Sequence, residues 1–103
     1  MSKARFPKEF ELMGHKINVE RDDDLYTSSQ AIGIASYLDN IIKIQGKNNC
    51  PAVSVSLQEQ TFYHELVHFI FYLLGEEDLN QNEKLVDNIG QMLYQFMKTR
   101  KFK

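Results

Sequence analysis

Three residues within five offer the first chemistry in this sequence: His64, Glu65 and His68, in the run His64-Glu65-Leu66-Val67-His68. Histidines four apart on a helix project from one face, so their imidazoles can share a cation. Zinc suits such a pair, held at roughly 2.0–2.1 Å from each nitrogen. Glu65 stands about 100° further round the helix, which sets its carboxylate beside the cation rather than on it. There it can act as a general base toward a zinc-bound water, whose pKa falls from about 15.7 toward 7. The chemistry expected of this group is hydrolysis.

Hydrolytic zinc normally takes three protein ligands and keeps the fourth position open. The remaining histidine, His15, falls in an expected hairpin turn. Glu83 is the better third ligand, because it opens the next predicted helix after a connection short enough to bring that helix back antiparallel. Asp87, one turn later, can accept the second N–H of a ligand histidine and so fix its tautomer. Gly90 on the same stripe lets the two helices approach closely. Each residue also has an ordinary alternative: histidines at the margin of a core helix, Glu83 as an N-terminal acid favoured by the helix dipole, Asp87 as a solvated surface charge. The five-residue pattern on a helix expected to be buried weighs against coincidence. Cys50 has no partner cysteine and reads as a passive thiol.

The elements that must position these groups follow from patterning. Residues 1–8 have little pattern and read as a loose lead-in, and residues 9–20 alternate apolar and polar around Gly14-His15, as a hairpin does. Residues 21–30 read as a polar loop. A second hairpin is expected from residues 31–38 and 41–44, turning at Asp39-Asn40. Residues 46–51 read as a loop, and residues 53–55 as extended. Ser56-Leu57-Gln58-Glu59 fits a capping box, placing a helix over residues 57–74 that Gly75 ends in a left-handed conformation. That helix is apolar nearly all round, so it is expected between the sheet and the last helix. The last helix is expected from about residue 80–82 to 98, with Leu85, Ile89, Met92 and Phe96 as its core stripe and Glu83, Asp87, Gly90 and Tyr94 as a separate, adjacent one.

The fold class expected is α+β: an antiparallel-rich sheet of three to four strands packed on the helix of His64 and a C-terminal helix carrying Glu83. With 103 residues, 43% of them hydrophobic, the chain fits a single domain, residues 1–103, with residues 99–103 as a basic tail. The net charge of −2 gives no basic field for nucleic acid or an anionic membrane surface. The lone cysteine and the lack of a signal-like apolar start point to a cytoplasmic setting.

The two motifs together, His64-Glu65-Leu66-Val67-His68 and Asn82-Glu83-Lys84-Leu85-Val86-Asp87, resemble the HExxH plus NExxxD pattern of the gluzincins, the thermolysin-like zinc metallopeptidases. The resemblance runs from about residue 31 to 94. It implies a minimal zincin-like domain in which His64, His68 and Glu83 hold Zn2+, Glu65 is the general base and Asp87 orients a ligand histidine. Size points to the small relatives, the minigluzincins and the short phage or prophage-type peptidases related to the ImmA/IrrE group. The resemblance further implies that an edge strand, residues 31–37 with Gly33, Ile34 and Ala35 at its centre, pairs with an extended peptide or protein substrate.

Large gluzincins bring a Tyr or His from a downstream subdomain over the developing oxyanion, and this sequence departs from that plan. Tyr94 lies about 16 Å along the helix axis from Glu83, which leaves Tyr26 and Tyr37 to consider. A slow enzyme, or one completed by a partner, is then expected. Two alternatives accompany the peptidase: a metal-stabilised interaction module that binds without cutting, and a latent peptidase blocked by its own basic tail.

Overall fold

The computed structural model describes residues 4–46 and 53–103. Its elements are β1 (Glu9–Leu12), β2 (His15–Asp22), α1 (Leu25–Ser29), β3 (Gly33–Ser36), β4 (Ile41–Gln45), α2 (Val55–Leu74), α3 (Glu77–Asn80) and α4 (Glu83–Thr99). The class is α+β. Cys50 and most of the loop expected at 46–51 lie outside the described residues.

Both expected hairpins form. The first turns at Met13-Gly14, both at positive φ, so His15 opens β2 rather than occupying the turn. The second turns through Asn40, also at positive φ, with the Ser36 hydroxyl bonded to Asp39. The hairpins join through a parallel pairing of β2 with β4, giving a mixed four-stranded sheet in the order β1-β2-β4-β3 in which the two hairpin pairings are antiparallel, as expected, and the joining one is not. The composition of β4 explains the order: Ile42, Ile44 and Gln45 are fully buried and need neighbours on both sides. β3, with Gly33, Ala35 and Ser36, is left at the edge.

Residues 21–30 are not simply loop. They include α1, whose Leu25 is buried and whose backbone is tied down by the side chain of Gln45: Tyr26 N–H donates to Oε1 at 2.6 Å, and Nε2 donates to the Asp23 carbonyl at 2.6 Å. A buried amide finds its partners across the fold, and local pattern carries no trace of it. The lead-in is likewise not loose where it is described. Ala4 is buried, Phe6 stacks on Phe62 at 5.8 Å, and the Arg5 N–H donates to Glu59 at 2.7 Å.

That last bond corrects the expected start of α2. The cap is Ser54, whose hydroxyl accepts the Leu57 N–H at 3.1 Å, and the helix begins at Val55, a residue expected to be extended. Glu59 does not fold back onto Ser56 as a capping box requires, because its carboxylate takes the Arg5 N–H and the Tyr94 hydroxyl. Gly75 ends the helix at φ 73°, as its position in the sequence anticipates.

α2 packs against β3 and β4 on one side and α4 on the other. Phe62 and Phe69 join Ile17, Ile42 and Ile44 in the core. In α4 the buried residues are Val86 and Gly90, while Met92 and Phe96 are exposed, so the expected core stripe is not the one that packs. The stripe containing Glu83, Asp87, Gly90 and Tyr94 faces α2 instead. A Cβ on Gly90 would stand 3.1 Å from the His64 Cα, so any larger residue here would push the two helix backbones apart by a few tenths of an ångström. Among the described residues no helix is long and apolar enough to cross a membrane.

Candidate metal centre

Helical spacing sets the two histidine rings side by side on α2, with centroids 5.0 Å apart. The turn at Gly75 and the one-turn helix α3 bring the chain back so that α4 starts opposite them. Asn82 caps α4 by accepting the Leu85 N–H at 3.1 Å, and this cap places Glu83 in the first turn. Glu83 presents one oxygen to each ring: Oε2 lies 3.3 Å from His64 Nε2 and Oε1 lies 3.2 Å from His68 Nε2. One ligand atom from each of His64, His68 and Glu83 falls within 4.8 Å of the others, a group that can hold a metal ion. His15 stands exposed at the start of β2 and is not part of this group.

The far nitrogen of each ring meets a different partner. His64 Nδ1 lies 3.5 Å from Asp87 Oδ1, the neighbour expected of Asp87, whose other oxygen accepts from Gln91 at 2.7 Å. His68 Nδ1 lies 2.6 Å from the Asn80 side-chain oxygen, and the amide nitrogen of Asn80 donates to the Tyr37 hydroxyl at 3.0 Å. Sequence reasoning missed Asn80. Its signal was weak, an asparagine in a connection, where the type is common for turn reasons alone.

Glu65 is buried beneath the edge strand. A Cβ on Gly33 would come within 2.9 Å of Glu65 Oε2 and 2.4 Å of Thr61 Cγ2, so β3 lies directly on the carboxylate and a side chain at residue 33 would force Thr61 or Glu65 to shift. Burial, and next the charge of Glu83, raise the Glu65 pKa to about 7. Such a carboxylate can both take and return a proton near neutral pH.

A cleft of about 700 Å³ opens beside His68 and Glu83, walled by Tyr37, Phe71, Tyr72, Glu77 and Asn80. Of the three tyrosines considered from sequence, Tyr37 is the one in this cleft. Tyr94 is bonded to Glu59 and Lys98, and Tyr26 sits on α1. Gly33, Ile34 and Ala35 all lie in β3, with β4 as their strand partner. The basic residues after Thr99 are exposed, beyond the end of α4 remote from Glu83.

No family model, no curated protein and no solved structure matches this chain.

Proposed function

We propose that this protein is a zinc metallopeptidase of minimal gluzincin type, hydrolysing peptide bonds of a protein substrate laid along β3. One observation carries the proposal: the His64–His68–Glu83 group stands beside a buried, proton-exchanging Glu65 on the same helix, and that Glu65 lies under the edge strand. The donor set fits the metal. Tetrahedral zinc with bonds of about 2.0–2.1 Å separates its ligand atoms by about 3.3 Å. Glu83 sets one oxygen 3.3 Å from His64 Nε2 and the other 3.2 Å from His68 Nε2, and one ligand atom from each of the three residues lies within 4.8 Å of the others, close enough to converge on one ion. Two imidazoles and one carboxylate leave a fourth position for reactants and match the preference of zinc for nitrogen with oxygen.

When bound, zinc supplies Lewis acidity and makes water a nucleophile near neutral pH. The chain's own groups do the rest. Glu65, one residue from His64 and too far round the helix to share its ligand face, accepts the proton of the attacking water and delivers it to the leaving amine. Asp87 and Asn80 hold the two imidazoles by their Nδ1 sides, so that both Nε2 atoms point at Glu83. The edge of β3, unpaired among the described residues, gives an extended peptide backbone groups to bond, with the close packing at Gly33 bringing that strand over the general base.

The test is metal analysis of purified protein together with cleavage of a peptide library. One zinc per chain is expected, with cleavage by the wild type and loss of cleavage in Glu65→Gln at unchanged metal content. Protein that takes up no zinc, or a variant that cuts as well as the wild type, overturns the proposal.

A further inference from the structure

His68 can serve a metal through Nε2 only if its proton sits on Nδ1. In the neutral ring one nitrogen carries the proton and the other a lone pair, and the partners of the two nitrogens decide which. Nε2 stands 3.2 Å from Glu83 Oε1, an acceptor, so without a metal the proton stays on Nδ1 only if the partner there holds it. That partner is an amide, and an amide has two faces. With the Asn80 oxygen toward the ring, Nδ1 donates and the Nε2 lone pair is left toward Glu83, where a shared cation would sit. With the amide turned over, its NH2 group donates to Nδ1 and the proton is driven onto Nε2. In this structure the oxygen faces the ring at 2.6 Å, and the nitrogen faces Tyr37 at 3.0 Å.

The phenol of Tyr37 is held more firmly than a surface tyrosine. Its ring lies parallel to Tyr72 with centroids 4.2 Å apart and an interplanar angle of 1°, and it meets the fully buried Phe69 edge-on at 5.2 Å. Tyr37 also comes from a different part of the fold, the β3–β4 turn, whereas Asn80 ends α3. Burial raises the phenol pKa, and the charges of Glu65 and Glu83 add to the effect, so the hydroxyl stays protonated. The phenol oxygen accepts the Asn80 N–H at 3.0 Å. Among the described residues the phenol makes no other hydrogen bond, so its oxygen is met only as an acceptor.

We propose that Tyr37 is a positioning residue that sets the Asn80 amide and, through it, holds His68 in the Nδ1–H tautomer needed to bind a metal. The inference rests on the metal-centre reading, but its most direct readout does not. It also gives the edge strand a physical link to the metal group: the turn that ends β3 carries the phenol that orients one ligand.

Long-range proton–nitrogen NMR of the metal-free protein in a Glu83→Ala background, where no carboxylate competes for the proton at Nε2, reports the His68 tautomer directly, and chelator competition with Glu83 intact reports zinc affinity. The background alone is expected to show the Nδ1–H form. Asn80→Leu, which has no acceptor, is expected to shift His68 toward the Nε2–H form and to lower zinc affinity by on the order of 10–100-fold. Tyr37→Phe should move both readouts the same way by a smaller amount, about 3–10-fold in affinity, because the amide is then free to turn. Asn80→Asp is the decisive background. A carboxylate has no wrong face, so the variant should keep the Nδ1–H form, and adding Tyr37→Phe to it should change the tautomer no further. Thermal unfolding of each variant separates these effects from loss of fold. An unchanged tautomer in Tyr37→Phe, or an equal effect of that substitution in the Asn80 and Asn80→Asp backgrounds, overturns the relay. If the wild type bound no zinc, the peptidase proposal would fail, and the tautomer measurement would still decide the role of Tyr37.

Discussion

Two glutamates on α2, Glu59 and Glu65, are buried to the same degree, each with 8% of its surface exposed, yet they live in opposite surroundings. Glu59 accepts the Arg5 N–H at 2.7 Å and the Tyr94 hydroxyl at 3.0 Å, with Lys98 Nζ 3.9 Å away. It fastens the N-terminal segment and the end of α4 to the central helix. Glu65 has no hydrogen-bond donor among the described residues and faces the charge of Glu83. A buried carboxylate with donors is a structural tie, and one without them is held ready to bind a proton. Burial alone therefore does not mark a reactive acid. The difference lies in what the rest of the chain brings to it.

The comparison is tested most severely by removing each charge in turn. Glu65→Gln should lower peptide cleavage by on the order of 10²–10⁴-fold while leaving the fold intact, the range for loss of a general base. The next effect in size is on stability as a function of pH. The folded pKa of Glu65 is about 7, above its ordinary value of 4.5. The native state therefore binds more protons than the unfolded state between these values, and stability falls as pH rises through that window. The loss is roughly 3 kcal/mol in the metal-free protein. Urea unfolding from pH 4.5 to 8 should show that slope in the wild type and lack that component in Glu65→Gln.

Glu59→Gln should do the reverse, costing about 1–3 kcal/mol of stability by weakening charge-assisted hydrogen bonds, with little change in the turnover of folded protein. Equal effects of the two substitutions on turnover would erase the distinction drawn between them. Smallest of all, Phe96→Gln on the exposed side of α4 should change stability by less than about 0.5 kcal/mol in the same urea measurement. A larger loss would mean that the stripe expected to be core from periodicity contributes after all.

That stripe shows where sequence reasoning stops. Apolar spacing marked Leu85, Ile89, Met92 and Phe96, but α4 turns Gly90, Val86 and the acids toward α2, because a glycine lets two backbones approach and the paired histidines receive a carboxylate there. The capping serine shows the same limit. Ser54 and Ser56 are locally equivalent, and the choice fell to Ser54 once Glu59 was engaged by Arg5 and Tyr94, partners 54 and 35 residues away.

What the sequence determined by itself was whatever depends on neighbours along the chain. Four-residue spacing put His64 and His68 on one helix face, Gly75 ended that helix, and Glu83 and Asp87 came one turn apart on the next. These follow from backbone geometry wherever the two segments are helical. Only the tertiary structure decided what needs groups from separate elements: the parallel joining of the hairpins, the approach of β3 to Glu65 across Gly33, and the Asn80–Tyr37 pair behind His68. A hydrogen bond between residues 43 positions apart leaves no periodicity to find. It exists because packing brings together a turn and a one-turn helix, and a half-buried amide then bonds at both ends.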